Sequence, residues 1–190
     1  MKYVLTDIDG FITDIETWTP EQYAALDVAT QAQYYTYDDS TDIQIGYLVM
    51  NDGSLKTIEQ QKDEAFAADP SAYIEHLCDI LDERLVRVMT YGFTYEGKRY
   101  KGDERSQLWA NTYLTMLMAG KMTTVGWIAQ DNTVTQMTAQ EFGVFINAFL
   151  SWGQTTVFTF FNLKVQMRGS TTRTQVDQIF NTAPAEPPQV

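Results

Sequence analysis

The chain has 190 residues, enough for one domain or for two small ones sharing an interface. Hydrophobic residues make up 44% and aromatic residues 13%, a composition that excludes a disordered chain and can supply a core. The net charge of −12 is unevenly placed: residues 1–83 carry 18 acidic and 3 basic side chains, net −15, and residues 84–190 carry 7 and 10, net +3. An acidic half does not seek a phosphate backbone, so nucleic acid is not expected as a partner. The acidic face serves solubility, or acidic and basic halves meet within a subunit or between neighbours.

The first ten residues, MKYVLTDIDG, turn acidic at the seventh, which does not fit a signal peptide and implies a protein made in the cytoplasm. Lys2–Thr6 and Phe11–Ile15 read as short strands joined by the turn signal Asp9-Gly10. Thr19-Pro20-Glu21 opens a short helix running through Asp27, with Pro in its favoured first turn. Tyr34, Tyr35 and Tyr37 then lead into an acidic loop, Asp38–Asp42. With Trp18 they lie in a polar, loop-like region and are candidate contacts for a partner. Ile43–Met50 is a strand candidate, followed by the turn Asn51-Asp52-Gly53 and a short return strand at Ser54–Thr57.

Residues 58–90 turn helical, and Asp69-Pro70 provides a cap followed by Pro at the first helical position. Ile74, Cys78, Leu81, Leu85 and Val88 recur at spacings of four and three, a heptad seam of slightly over two repeats. The seam belongs either to an amphipathic helix packed on its own domain or to a helix that associates with copies of itself. Cys78 and His76 are the single cysteine and histidine, so a disulfide framework and the usual structural zinc sites are excluded. Two apart on a helix, they point to different faces and are read as structural.

Gly92–Lys101 alternates aromatic residues about Glu96-Gly97, as a hairpin requires, and Phe93, Tyr95 and Tyr100 give it an apolar face. Asp103 caps a helix from Glu104 to Ala119, stopped by Gly120. Val125–Ala129 and Thr133–Met137 form a second strand pair around Gln130-Asp131-Asn132. Thr138-Ala139-Gln140-Glu141 is a capping box opening a long apolar helix that weakens at Gly153–Thr156; the run VFTFF after it reads as helix or buried strand. Its apolar stretches are broken by Gly, Asn, Ser or Gln before the length a membrane span needs, so no membrane insertion is expected. Trp109, Trp127 and Phe145 are assigned to the core. Thr172–Phe180 forms a final short helix, and the tail APAEPPQV is an extended arm.

One motif suggests chemistry. Asp7-Ile8-Asp9-Gly10-Phe11-Ile12-Thr13-Asp14 resembles the first motif of haloacid-dehalogenase-type phosphatases, in which an apolar strand ends in an Asp nucleophile with an acid/base Asp two residues on. The resemblance would make Asp7 the nucleophile and Asp9 the acid/base, acting with magnesium on a phosphate ester. That family also needs a parallel α/β sheet and a distal acidic pair, and no alternation of strands with helices follows Asp14. The simpler reading of Asp9-Gly10 is a hairpin turn.

A second resemblance covers residues 85–149. In order along the chain stand Arg87-Val88-Met89, then Gly92-Phe93-Thr94-Tyr95-Glu96-Gly97-Lys98-Arg99-Tyr100, then Asp103-Glu104-Arg105-Ser106-Gln107. Trp127-Ile128-Ala129-Gln130-Asp131-Asn132-Thr133-Val134 and Met137-Thr138-Ala139-Gln140-Glu141-Phe142 follow. This succession resembles a domain-of-unknown-function family found towards the C-terminus of tailed-bacteriophage tail-fibre proteins. The resemblance implies a non-enzymatic virion protein with no cofactor and no catalytic residue. It would be a tail fibre or fibre-associated subunit partnered by other tail proteins, a homotrimer by analogy with fibres, with host attachment to a surface receptor as a further role. A fibre-assembly chaperone absent from the finished virion is the alternative.

The resulting expectation is an α+β protein in four segments. Residues 1–57 form a β-rich attachment region and 58–90 a connecting amphipathic helix. Residues 91–168 form a hairpin–helix–hairpin–long-helix module, and 169–190 a short helix and arm.

Overall fold

The computed structural model describes residues 1–50 and 52–185. The architecture is α+β, strands first and then mainly helices, in two compact units, Met1–Pro70 and Ser71–Val190.

In the first unit, β1 (Lys2–Thr6) lies between β2 (Ile12–Thr17) and β3 (Tyr34–Tyr37), antiparallel to both. Val4 stands opposite Ile15 on one side and Tyr35 on the other. Alternation along β1 sends Val4 and Tyr3 to opposite faces, and both are buried. Val4 joins an aliphatic cluster with Ile12, Ile43, Tyr47 and Val49. Tyr3 stacks on Tyr23 at 4.3 Å and packs against Trp18 at 5.4 Å.

Three expectations for this unit change. Tyr34–Tyr37 is strand β3, because pairing with β1 satisfies backbone groups that a loop would leave to water. The strand expected over Ile43–Met50 shrinks to β4 (Leu48–Val49), paired with β5 (Leu55–Lys56). Gly46 at φ +89° interrupts the run, and its N–H donates back to the Ile12 carbonyl at 2.9 Å. The helix expected through Asp27 ends early. Helix α1 (Pro20–Ala24) starts with a Thr19–Gln22 capping box, and α2 (Val28–Gln31) restarts where Asp27 accepts from the Thr30 N–H at 3.0 Å. Asn51, in the expected turn, lies outside the described residues.

The helical stretch beyond is two helices. Helix α3 (Ile58–Ala68) ends at Asp69, held extended at φ −152° as the residue before Pro70, and α4 (Pro70–Tyr91) follows.

In the second unit, hairpin β6 (Phe93–Tyr95) to β7 (Lys98–Tyr100) turns on Glu96 and Gly97, both at positive φ. Helix α5 (Glu104–Met118) follows, then hairpin β8 (Thr124–Ile128) to β9 (Val134–Thr138). Helix α6 runs unbroken from Ala139 to Arg168, so VFTFF is helical. Its start is the Thr138–Glu141 capping box. Gly153 does not break it: the position is buried, and packing on the rest of the unit outweighs the ~1 kcal/mol propensity cost of a helical glycine. Helix α7 (Arg173–Asn181) is capped by Thr172.

Two tightly packed glycines set the first hairpin against its neighbours. Gly92 has φ +93°, and a Cβ there would lie 2.0 Å from the Tyr100 carbonyl oxygen. A Cβ on Gly102 would lie 2.3 Å from the Trp152 ring. The first half of α6 then forms an aromatic core with the hairpins and α5, through Phe142, Phe145 and Phe149 against Tyr100 and Trp127.

Charged pairs link the second half of α6 to α4, and a tyrosine hydroxyl links α4 to α7. Arg168 donates twice to Glu75, both at 2.7 Å, and Lys164 reaches Asp82 at 2.5 Å. The acidic and basic parts of the sequence therefore meet within the chain at these two pairs. Tyr73 donates to Asp177 at 2.7 Å, which also pairs with Arg173.

Two outcomes follow from this packing. Gly92→Ala combines a strained φ with a backbone clash and should lower stability by at least about 2 kcal/mol in urea denaturation, whereas Gly97→Ala, open to solvent, should cost less. Burial, and then the bond to Asp177, pushes the Tyr73 hydroxyl from 10.0 up to about 12. The folded value lies above the unfolded one, so this contribution is complete below pH 10.0 and is lost as pH rises through about 12. Tyr73→Phe should accordingly lose less stability than the wild type over that interval, measured by denaturant midpoint against pH.

Candidate functional site

Arg105, Trp109 and Tyr113 stand four apart on α5 and share one helix face. The Trp109 and Tyr113 rings stack at 5.6 Å and 29°, and Tyr113 meets the buried Trp127 edge-on at 5.9 Å. Trp109, expected in the core, is instead 46% exposed. Helix α5 is anchored through Ala110, with Tyr113, Leu114 and Leu117 packed on the core, and Trp109 stands at the outer edge of that face, one turn before Tyr113.

Opposite this face, Gly126 to Gln130 line a cleft of ≈ 450 Å³ shared with Lys101, Arg105, Trp109 and Asn132. Among the described residues strand β8 is paired with β9 alone, so consecutive residues present its free edge to the cleft. Gln130 is tied down: its side-chain NH₂ donates to the Tyr91 carbonyl at 2.6 Å and its backbone N–H to Arg99 at 2.8 Å. Among the described residues, Lys101 and Arg105 have no hydrogen-bond or ion-pair partner. Nearby Asp103 is spent on capping α5, accepting from the Ser106 N–H at 2.8 Å. Burial works against its charge, but the Ser106 hydrogen bonds, with Lys101 and Arg105, hold its carboxyl below the ordinary value.

A second surface lies on α6. From Phe142 to Leu163 the helix carries no charged residue. Its inner face buries Phe142, Phe145, Ile146, Phe149, Phe160 and Leu163. Its outer face leaves Val157 45%, Phe158 53%, Phe161 54% and Val165 50% exposed. Val144, Asn147, Ser151, Gln154, Phe158, Phe161 and Val165 form an exposed stripe at spacings of three and four. Beside it, Phe149, Leu150, Trp152, Val157 and Phe158 line a groove of ≈ 350 Å³.

The residues singled out in the sequence fall elsewhere. Of the heptad seam, Ile74, Cys78 and Leu81 are buried within the second unit, and Leu85 and Val88 are half-buried. Burial pushes the Cys78 thiol up, which disfavours a reactive thiolate; His76 is exposed. Trp18 and Tyr34 pack on each other at 5.1 Å, and Tyr37 donates to the Gly53 carbonyl. Of that group Tyr35 is the most open, at 46%.

Asp7 accepts from the N–H groups of Asp9 and Phe11 at 3.0 and 2.9 Å, closing the loop between two antiparallel strands. That is turn chemistry, and the sheet is not the parallel one the phosphatase resemblance requires. Among the described residues no three His, Cys, Asp or Glu side chains are grouped to hold a metal, and no helix is long and apolar enough to cross a membrane.

The α5–β8 cleft and the α6 stripe both lie in the stretch that a family model matches, residues 74–180, over half of the chain. The chain belongs to the family described as Domain of unknown function (DUF4376). No curated protein and no solved structure matches it.

The exposure of Trp109 is directly testable. Iodide, an anion drawn to Lys101 and Arg105, should quench Trp109 ahead of the buried Trp127. Trp109→Phe should therefore remove the most quenchable part of the tryptophan emission.

Proposed function

We propose that this chain is a non-enzymatic structural component of a bacteriophage tail, a fibre or fibre-associated subunit that joins other virion proteins. The ordered resemblance of residues 85–149 to tail-fibre domains supplies the setting. The observation that carries an assembly role is the outer face of α6. Val157, Phe158, Phe161 and Val165 leave roughly 350 Å² of apolar surface in one patch, the size of the largest patch on a typical monomer, which is often a functional one. A helix apolar on both faces is normally covered on both.

A second and third copy are the occupants that fit this surface. The stripe has coiled-coil spacing, and Asn147, Ser151 and Gln154 supply the polar layers that set register and copy number. From Val144 to Val165 it is about 33 Å long. Charge does not oppose contact there, since Ser71–Val190 carries 11 acidic and 10 basic residues. Three copies around an axis close the arrangement and match the symmetry of a fibre. In this reading the protein works in the virion tail after synthesis in the host cytoplasm, and host-receptor attachment is a further role of the assembled tail.

Light scattering of the purified protein should give about three times the 21.7 kDa of one chain, and Phe158→Ser with Phe161→Ser should return it to one. A wild type that is monomeric at micromolar concentration would remove the self-association part. Mass spectrometry of purified particles should find the protein in a small, symmetry-related copy number. Its absence from particles, with abundance in infected cells, would replace the structural role by the chaperone one.

A further inference from the structure

We propose that the cleft between α5 and β8 is a binding site for an acidic oligosaccharide, a chain of sugars bearing carboxylates. The site stands on its own residues and can fail while the assembly role holds.

Trp109 is the first argument. Its ring is held by stacking on Tyr113 and still opens to solvent inside a concavity, so a fixed aromatic face is available to a ligand there. The electron-rich face of an indole attracts the polarised C–H groups on the flat side of a pyranose ring.

The two cations are the second. Arg105 lies one helical turn before Trp109, so guanidinium and indole meet a ligand from the same side. A guanidinium fork pairs with a carboxylate through two parallel hydrogen bonds, and Lys101 adds a second positive charge. Both cations act on the Asp103 carboxylate through space, but among the described residues neither makes a direct hydrogen bond or ion pair with a carboxylate, so their donors are open to a ligand. Asn132, in the turn at φ +64°, adds an amide that can donate and accept toward sugar hydroxyls.

Shape and charge select among anions. At ≈ 450 Å³ the cleft is within the range of ligand sites, and its open side suits a chain passing through more than a molecule enclosed. A nucleic acid strand also offers rings and anions. It brings a phosphate at every residue, however, and the cleft has two cations on a chain of net charge −12. One carboxylate per sugar or per disaccharide matches that supply.

The test is a titration of the full-length protein, by calorimetry and tryptophan fluorescence, with an oligosaccharide of alternating glucuronate and N-acetylglucosamine. A neutral N-acetylglucosamine oligomer and a short oligothymidylate serve as comparisons. The acidic oligosaccharide should bind saturably with a change in Trp109 emission, and the neutral oligomer should bind roughly tenfold more weakly or less. Arg105→Gln should weaken the acidic ligand by about tenfold while leaving the neutral one unchanged. Trp109→Ala should abolish both, with the circular dichroism spectrum and melting temperature retained. The proposal is overturned by any one of four results: no saturable binding up to about 10 mM of the acidic oligosaccharide, equal binding of the neutral one, undiminished binding by Trp109→Ala, or tighter binding of the oligothymidylate.

Discussion

Phe145 is fully buried, with six aromatic rings around it: Phe93, Tyr95, Tyr100, Trp127, Phe142 and Phe149, all with centroids within 6.2 Å. Much of the second unit depends on that one side chain. A two-stranded hairpin is marginal in water, and this unit contains two of them. Each is stable here because its aromatic residues pack on α6. Phe93, Tyr95 and Tyr100 come from the first hairpin and Trp127 from the second, so both are oriented by the same helix. The cleft between α5 and β8 is a consequence. Trp127 pins β8 inward, Tyr113 touches Trp127 edge-on, and the stack built on Tyr113 brings Trp109 to the surface.

Helix α6 has two jobs along its length. Its first half is the spine of the aromatic core, and its second half packs with α4 and α7 under the Arg168–Glu75 and Lys164–Asp82 pairs. These pairs are partly exposed, so their energetic weight is modest, but they fix the orientation of α4 on the helix. The inner face consumes the apolar residues a helix of this size needs for its own domain. The outer apolar stripe is therefore surplus to folding, which is the physical basis for reading it as an assembly surface.

The first unit solves a different problem. With 14 acidic and 3 basic residues in Met1–Pro70 it carries net −11, and its strands are short. Burying both faces of one three-stranded sheet offsets this, with aliphatic residues around Val4 on one side and rings around Tyr3 on the other. The sequence marked Trp18, Tyr34, Tyr35 and Tyr37 as free for a partner because polar residues surround them. Local polarity does not report long-range pairing, and β1 recruits three of the four into packing or a tertiary hydrogen bond.

Much of the local structure was legible because its causes lie within a few residues. The Thr138–Glu141 capping box, the Asp103 cap, the Glu96-Gly97 turn and the Asp69-Pro70 break each depend on side chains next to the backbone they direct. The α+β class followed from their order. The tertiary structure alone decided what depends on contacts far apart in sequence. It made Tyr34–Tyr37 a strand, reduced Ile43–Met50 to two paired residues, and carried α6 through Gly153. It buried the first three residues of the seam begun by Ile74 within the second unit, and it moved Trp109 from the expected core to the cleft. Caps and turns are set by neighbours along the chain, whereas burial is set by which surfaces meet, and one-dimensional spacing does not contain that information.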